Sequence, residues 1–181
     1  MRDQLKIITK ASETERIAAS VKDTAGVYVV PAFAGLGAPY WNSEARGMVA
    51  GLTRGASREH LIRAALESIA YQTRDVFEVM QKDLGRKIHE LKVDGGACQN
   101  NFLMQFQADL LDCRLTRPKM VESTARGVAQ LAGVTIGLFK IKKPSFHHAT
   151  VDRVFKPSMK KTTRDLLYSG WQKAVRQTQT S

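Results

Sequence analysis

The sequence predicts an α/β sheet domain, and two observations carry that prediction. Short strand-like segments, the β-branched run Val27–Val30 and then Leu91–Val93 and Arg114–Thr116, alternate with longer segments whose apolar residues recur every 3.6 positions. A glycine-rich turn, Asp94-Gly95-Gly96-Ala97, stands between one such strand and the helix after it. Together they give a βαβα order with further strands added, and no internal repeat interrupts it.

From the N-terminus, Leu5, Ile7 and Ile8 read as the tail of an amphipathic helix, and Ser12-Glu13-Thr14-Glu15 as a capping box for a second, with Ile17 and Val21 on one face. Gly26 releases the strand Val27-Tyr28-Val29-Val30. A loop rich in glycine and proline follows, from Pro31 to Trp41, and then a short strand at Gly47–Leu52. Ser57 to Gly85 carries the strongest helical pattern: Leu61, Ile62, Ala65, Leu66, Ile69, Ala70, Val76, Phe77 and Met80 form one stripe. Ser57 can cap its start, Glu59 faces the positive end of its dipole, and Gly85 ends it. Such a helix is about 40 Å long, which marks it as a scaffold element.

Beyond the glycine turn, a helix from Asn100 to Asp112 turns Phe102, Leu103, Phe106, Leu110 and Leu111 inward. The strand Arg114–Thr116 ends on Pro118. A helix from Ser123 to about Leu138 carries Ala125, Ala129, Ala132 and Gly133, small enough for close approach to a neighbour. The last helix, near Thr162–Val175, presents Leu166, Leu167, Trp171 and Ala174.

Composition narrows the functional classes. The 181 residues contain 28 Lys and Arg against 17 Asp and Glu, a net charge of +11. Residues 1–113 hold 14 basic and 14 acidic side chains and residues 114–181 hold 14 and 3, so 14 − 3 gives the whole excess. The start has no apolar core of a secretory signal, and no run reaches the ~18 apolar residues of a membrane span. Two cysteines, Cys98 and Cys113, are too few for a disulfide framework, so a reduced cytoplasmic protein is expected.

Several motifs carry little. Gly35-Leu36-Gly37-Ala38-Pro39-Tyr40 starts like a dinucleotide fingerprint but has tyrosine in place of the third glycine, so it is a loop, and no P-loop exists. His147-His148 lacks Cys or carboxylate partners at ligand spacing, His60 and His89 stand alone, and no His or Asp order around Cys98 marks a thiol nucleophile. Lys140-Ile141-Lys142-Lys143, Lys156 and Lys160-Lys161 form a basic region without interleaved aromatics, which reads as a solvated face rather than a specific nucleic-acid site. The segment Asp94–Asn100 carries more. Its two glycines leave the backbone bare beyond the carboxyl end of a strand, where ligands bind open α/β sheets. Asn100 offers donors and acceptors to a nucleobase or ribose. The alternative is a tight strand–helix turn with Asn100 as an N-cap.

The chain resembles the C-terminal half of the FGGY carbohydrate kinases. Gly47-x-Val49-x-Gly51-Leu52, seven residues, then His60-Leu61-x-x-Ala64-Ala65-Leu66-Glu67 fits the family's C-terminal signature. Gly26–Phe33, Val93–Ala97, Asn101–Gln107 and Tyr168–Val175 are similar to the glycerol kinases within the family, and the Ala38-Pro39-Tyr40-Trp41 loop favours them over the sugar kinases. The resemblance implies a ribonuclease H-like domain of the actin and hexokinase ATPase type, N-terminally truncated. Residues 1–140 would form a partial nucleotide-binding domain and 141–181 a basic C-terminal extension with a terminal helix.

It also implies ATP or ADP with Mg²⁺ as cofactors and a turn, Gly95, Gly96, Ala97 and Asn100, that holds adenosine. Glu67 and His60 would organise the long helix rather than touch substrate. Thr124-Ala125-Arg126-Gly127 has arginine where the family has leucine, so that helix is expected to pack differently. The catalytic aspartate, the phosphate-cradling hairpin and the glycerol-binding domain would lie upstream, so no catalytic residue is assigned and the chain alone is expected not to phosphorylate glycerol. The alternatives are a non-catalytic regulatory or assembly module, pairing with itself or, through the basic C-terminal region, with a full-length kinase or an acidic partner, and part of another FGGY sugar kinase.

Overall fold

The computed structural model describes residues 1–138 and 150–179. Lys140–Lys143 and His147-His148 lie outside the described residues, as does the domain boundary expected near residue 140. The elements run α1 (Glu13–Ala19), β1 (Tyr28–Val30), β2 (Met48–Ala50), α2 (Arg58–Leu84), β3 (Glu90–Lys92), a single 3-10 turn (Gly96–Gln99), α3 (Asn101–Leu111), β4 (Arg114–Pro118), α4 (Ser123–Thr135), β5 (Val151–Phe155) and α5 (Lys161–Gln179).

β1 and β2 pair antiparallel, Val29 opposite Val49. β3 and β4 pair parallel, Leu91 opposite Leu115, with α3 as the crossover between them. β5 then adds antiparallel to β4, Thr116 opposite Val154, giving a sheet of order β3-β4-β5. β5 escaped the sequence reading because Val151-Asp152-Arg153-Val154-Phe155 is exposed along most of its length and buries only Phe155.

Two N-terminal expectations are corrected. Residues 1–10 form no helix; Ile8 instead packs with Ile17 and Ile62 as a small apolar cluster over the start of α2. Ser12 precedes α1 but has helical backbone angles and makes no side-chain cap, so the capping box does not form. A cap needs an extended backbone to aim its oxygen at the first N–H groups.

The long helix has the expected extent, and its ends show why, although Ile69, Val76 and Met80 of the expected stripe are exposed. Gly85 adopts φ 62°, the left-handed stop that a side chain would strain. At the other end His60 Nδ1 accepts from the Ser57 N–H at 3.0 Å, filling the place that Glu or Gln takes in a capping box. Glu67, almost wholly buried, accepts from Arg63 Nε at 2.8 Å and from the Tyr71 hydroxyl at 3.3 Å. Both signature residues thus serve the helix.

The main core lies where α2, α3, α5 and β1 converge. Tyr71 stacks on Trp171 at 5.3 Å between ring centres and meets the edge of Phe106 at 5.6 Å. Trp171 is fully buried, and the Tyr28 hydroxyl donates to the Leu167 carbonyl at 3.1 Å. β5 and α5, which follow residue 149, therefore share one core with the segments before it.

α4 is the exception. The small residues Ala125, Ala129 and Ala132 are exposed, Arg126 points to solvent, and Gly133 is its only buried residue. The close neighbour that its small face suggested is not among the described residues. Val128 and Leu131 remain 64% and 71% exposed.

Candidate functional site

The Asp94–Asn100 turn leaves the carboxyl end of β3 and enters α3. Gly95 has φ 85° and ψ 170°, a backbone region open essentially to glycine alone. Gly96 has no such constraint, and a Cβ placed there would meet nothing within 4 Å. The folded chain itself therefore does not need glycine at 96; what it gains is a bare backbone facing solvent. The first bond inside the 3-10 turn runs from the Cys98 N–H to the Gly95 carbonyl at 3.1 Å, so the N–H groups of Gly96 and Ala97 precede it.

Asn100 caps α3. Its Oδ1 accepts from the Leu103 N–H at 2.9 Å, and its Nδ2 donates to Thr14 Oγ1 at 3.3 Å. One Nδ2 hydrogen and one Oδ1 lone pair remain for a ligand. Gly96 and Ala97 are exposed and Gly95 and Asn100 half-buried, so the turn forms a ledge with Cys98 turned inward. Burial pushes the Cys98 thiol above its ordinary range, which suits an inert core residue better than a nucleophile.

The ledge is tied on several sides, by Asp94 of the turn itself and by Val121 and Arg117, which the sequence reading did not single out. Asp94 accepts from the Ser123 N–H at 3.1 Å and from the Ser123 hydroxyl, anchoring the start of α4. That hydroxyl holds the Asp94 carboxyl below the usual carboxylate range. The Gly95 N–H donates to the Val121 carbonyl at 2.9 Å. From below, Arg117 Nη1 donates to the Cys98 carbonyl at 2.7 Å. A shallow cleft of about 190 Å³ opens beside the ledge, lined by Gln99, Arg117, Pro118, Lys119, Val121 and Asp152.

No group of three His, Cys, Asp or Glu side chains that could hold a metal occurs among the described residues. Gly35–Tyr40 is a loop containing a cis Ala38–Pro39 bond, and no helix opens there. No described helix is long and apolar enough to cross a membrane.

A parallel βαβ unit with a glycine turn at the carboxyl end of its first strand places the chain among the α/β domains. The chain belongs to the FGGY family of carbohydrate kinases, whose C-terminal domain model matches residues 2–136. It is 57% identical over 175 residues to a glycerol kinase of Caldanaerobacter subterraneus subsp. tengcongensis, covering 97% of this chain and 35% of that protein. It is 56% identical over 178 residues to a glycerol kinase of Pseudomonas savastanoi pv. phaseolicola, covering 98% and 36%. The structure of Plasmodium falciparum glycerol kinase with ADP superposes with a TM-score of 0.84 at 35% identity, over 98% of this chain and 35% of that one. A xylulose kinase of Lactobacillus acidophilus superposes at 0.76 with 22% identity, over 99% of this chain and 37% of that one, a likeness of fold alone. The fold is therefore that of an FGGY C-terminal domain, of the actin and hexokinase ATPase type. The chain spans about a third of the length of the curated relatives it matches.

Proposed function

We propose that this chain is the adenosine-binding part of a glycerol kinase. The complete enzyme would transfer the γ-phosphoryl group of ATP to a terminal hydroxyl of glycerol. One observation carries the reading: the ledge Gly95-Gly96-Ala97 with Asn100, in a chain 57% identical to a glycerol kinase. The structural likeness to a glycerol kinase with ADP supports a nucleotide as the ligand. On this reading the bare amides at Gly96 and Ala97 let a flat, polar ligand approach the backbone, and the remaining Asn100 donor and acceptor meet its polar edge.

Phosphoryl transfer depends on positioning, metal-neutralised charge and a carboxylate that takes the hydroxyl proton. On this reading Mg²⁺ would come with the nucleotide phosphates, and no residue here is assigned to it. We also propose that the chain alone binds adenine nucleotide weakly and does not turn glycerol over. Titration of ADP, followed by amide chemical shifts, should move Gly96, Ala97 and Asn100 first. Shifts confined to the basic residues after 150 would refute the reading. Turnover of glycerol by the isolated chain, in a coupled assay, would refute its inactivity.

A second reading, an assembly module that pairs with an intact kinase, is favoured by the exposed apolar residues Val128, Leu131, Ile136 and Leu138. Co-purification with an intact glycerol kinase, lost in Leu131→Glu, would support it.

A further inference from the structure

The ledge is open above and held from below by one polar lattice. The Arg117 side chain on β4 is 11% exposed. Its guanidinium donates from Nη1 to the Cys98 carbonyl at 2.7 Å, from Nη2 to Asn101 Oδ1 at 3.1 Å and from Nε to Asp152 Oδ2 at 2.7 Å. Asn101 then donates from its backbone N–H and its Nδ2 to the two oxygens of Glu15, at 3.0 and 2.9 Å. Its Oδ1 also accepts from Arg153 Nη1 at 3.1 Å. Side chains from α1, β4 and β5 thus converge on the two residues that bracket Gln99 and Asn100.

We propose that Arg117 and Asn101 are positioning residues that set the nucleotide affinity of the Gly95–Asn100 ledge, an inference that rests on the adenosine-binding reading above. Neither touches the ligand. They act by fixing the Cys98 carbonyl and the first residue of α3, and with them the amide groups of Gly96 and Ala97, before a ligand arrives. A backbone surface already held in place loses less conformational freedom on binding than one that must be ordered. Arginine suits the place because its planar fork reaches three acceptors at once; a lysine ammonium cannot span them. The charges also balance, Arg117 and Arg153 against Asp152 and Glu15, so the lattice steadies the ledge without adding net charge beneath it.

The test uses the full chain with ADP as the probe, comparing wild type, R117K, N101A and the double variant. Each single variant should weaken ADP binding about tenfold, the effect of one charge-assisted hydrogen bond. The double variant should bind little worse than either single one, since both changes break one lattice. Without nucleotide, amide exchange at Cys98 and Asn100 should speed up in both single variants while the centre of α2 stays protected. A purely structural role would speed exchange in α2 as well, and that outcome overturns the proposal. Unchanged ADP affinity in R117K and N101A, with wild-type binding intact, overturns the positioning role alone. Absence of ADP binding by the wild-type chain overturns the adenosine reading and the positioning role with it.

Discussion

The hydroxyl of Tyr168 on α5 donates to the carboxylate of Asp75 on α2 at 2.6 Å, inside a core where Asp75 is only 3% exposed. Trp171 Nε1 donates to the other oxygen of the same carboxylate at 2.9 Å, and Arg74 lies 3.8 Å over the Tyr168 ring. A buried charge needs such partners, and here they clamp the last helix onto the longest one.

Tyr168→Phe should therefore cost about 1.5–3 kcal/mol, the range for a hydrogen bond to a charged group. Urea denaturation of the two chains measures it directly. A loss below about 0.5 kcal/mol would mean that the Trp171 donor suffices.

The pH dependence follows from the same pair. Burial raises the Asp75 carboxyl above its ordinary value of 3.8, against the lowering effect of its bonds from Tyr168, Trp171 and Tyr40. Burial likewise raises Glu67 above 4.5 despite Arg63. A carboxyl with a raised native pKa binds its proton more tightly folded than unfolded. Its contribution to stability is full below the unfolded value and is lost as pH rises through the native one. Asp75→Asn removes this effect, so the stability of wild type relative to D75N should fall as pH rises upward from about 3.8. Urea titrations at several pH values check the sign.

The two glycines should behave differently. Gly95→Ala places a side chain at φ 85°, ψ 170° and should cost about 1–3 kcal/mol of stability. Gly96→Ala meets no atom within 4 Å and should leave the melting temperature unchanged while weakening the ADP-induced amide shifts. Thermal melts with ADP titration separate the two effects.

Burial decides a third contrast. Trp171→Ala should cost about 3–5 kcal/mol or prevent folding, because its ring is fully buried against Tyr71. Leu131→Asp on α4 should change stability by less than about 0.5 kcal/mol, since Leu131 is exposed in this chain. A large loss in L131D would show that α4 is covered by part of the chain.

The legible parts of the fold were those where local pattern and tertiary packing agree. The extent of α2, its Gly85 stop, the α3 pattern and the glycine turn were read from residues alone, because periodicity and backbone freedom are local properties. The apolar stripe expected on α2 was only half right: Ile62, Ala70 and Phe77 are buried, but Ile69, Val76 and Met80 are exposed, as is Leu166 on α5, and the buried face of α2 includes Glu67, Ser68, Tyr71 and Asp75. The failures were places where packing overruled pattern. Leu5, Ile7 and Ile8 have helical spacing, but Ile8 serves an apolar cluster with Ile17 and Ile62 from a non-helical segment. β5 has too few inward residues to announce itself.

The sequence by itself determined the family, the alternation of strands and helices, and the position of the ledge in the chain. Only the tertiary structure decided what holds that ledge. Arg117, Asn101, Glu15 and Asp152 lie on separate elements, up to 137 positions apart by 152 − 15, and nothing in linear spacing joins them. Their association depends on β4 and β5 pairing and on α1 packing beside α3, which bring distant charges within hydrogen-bond range.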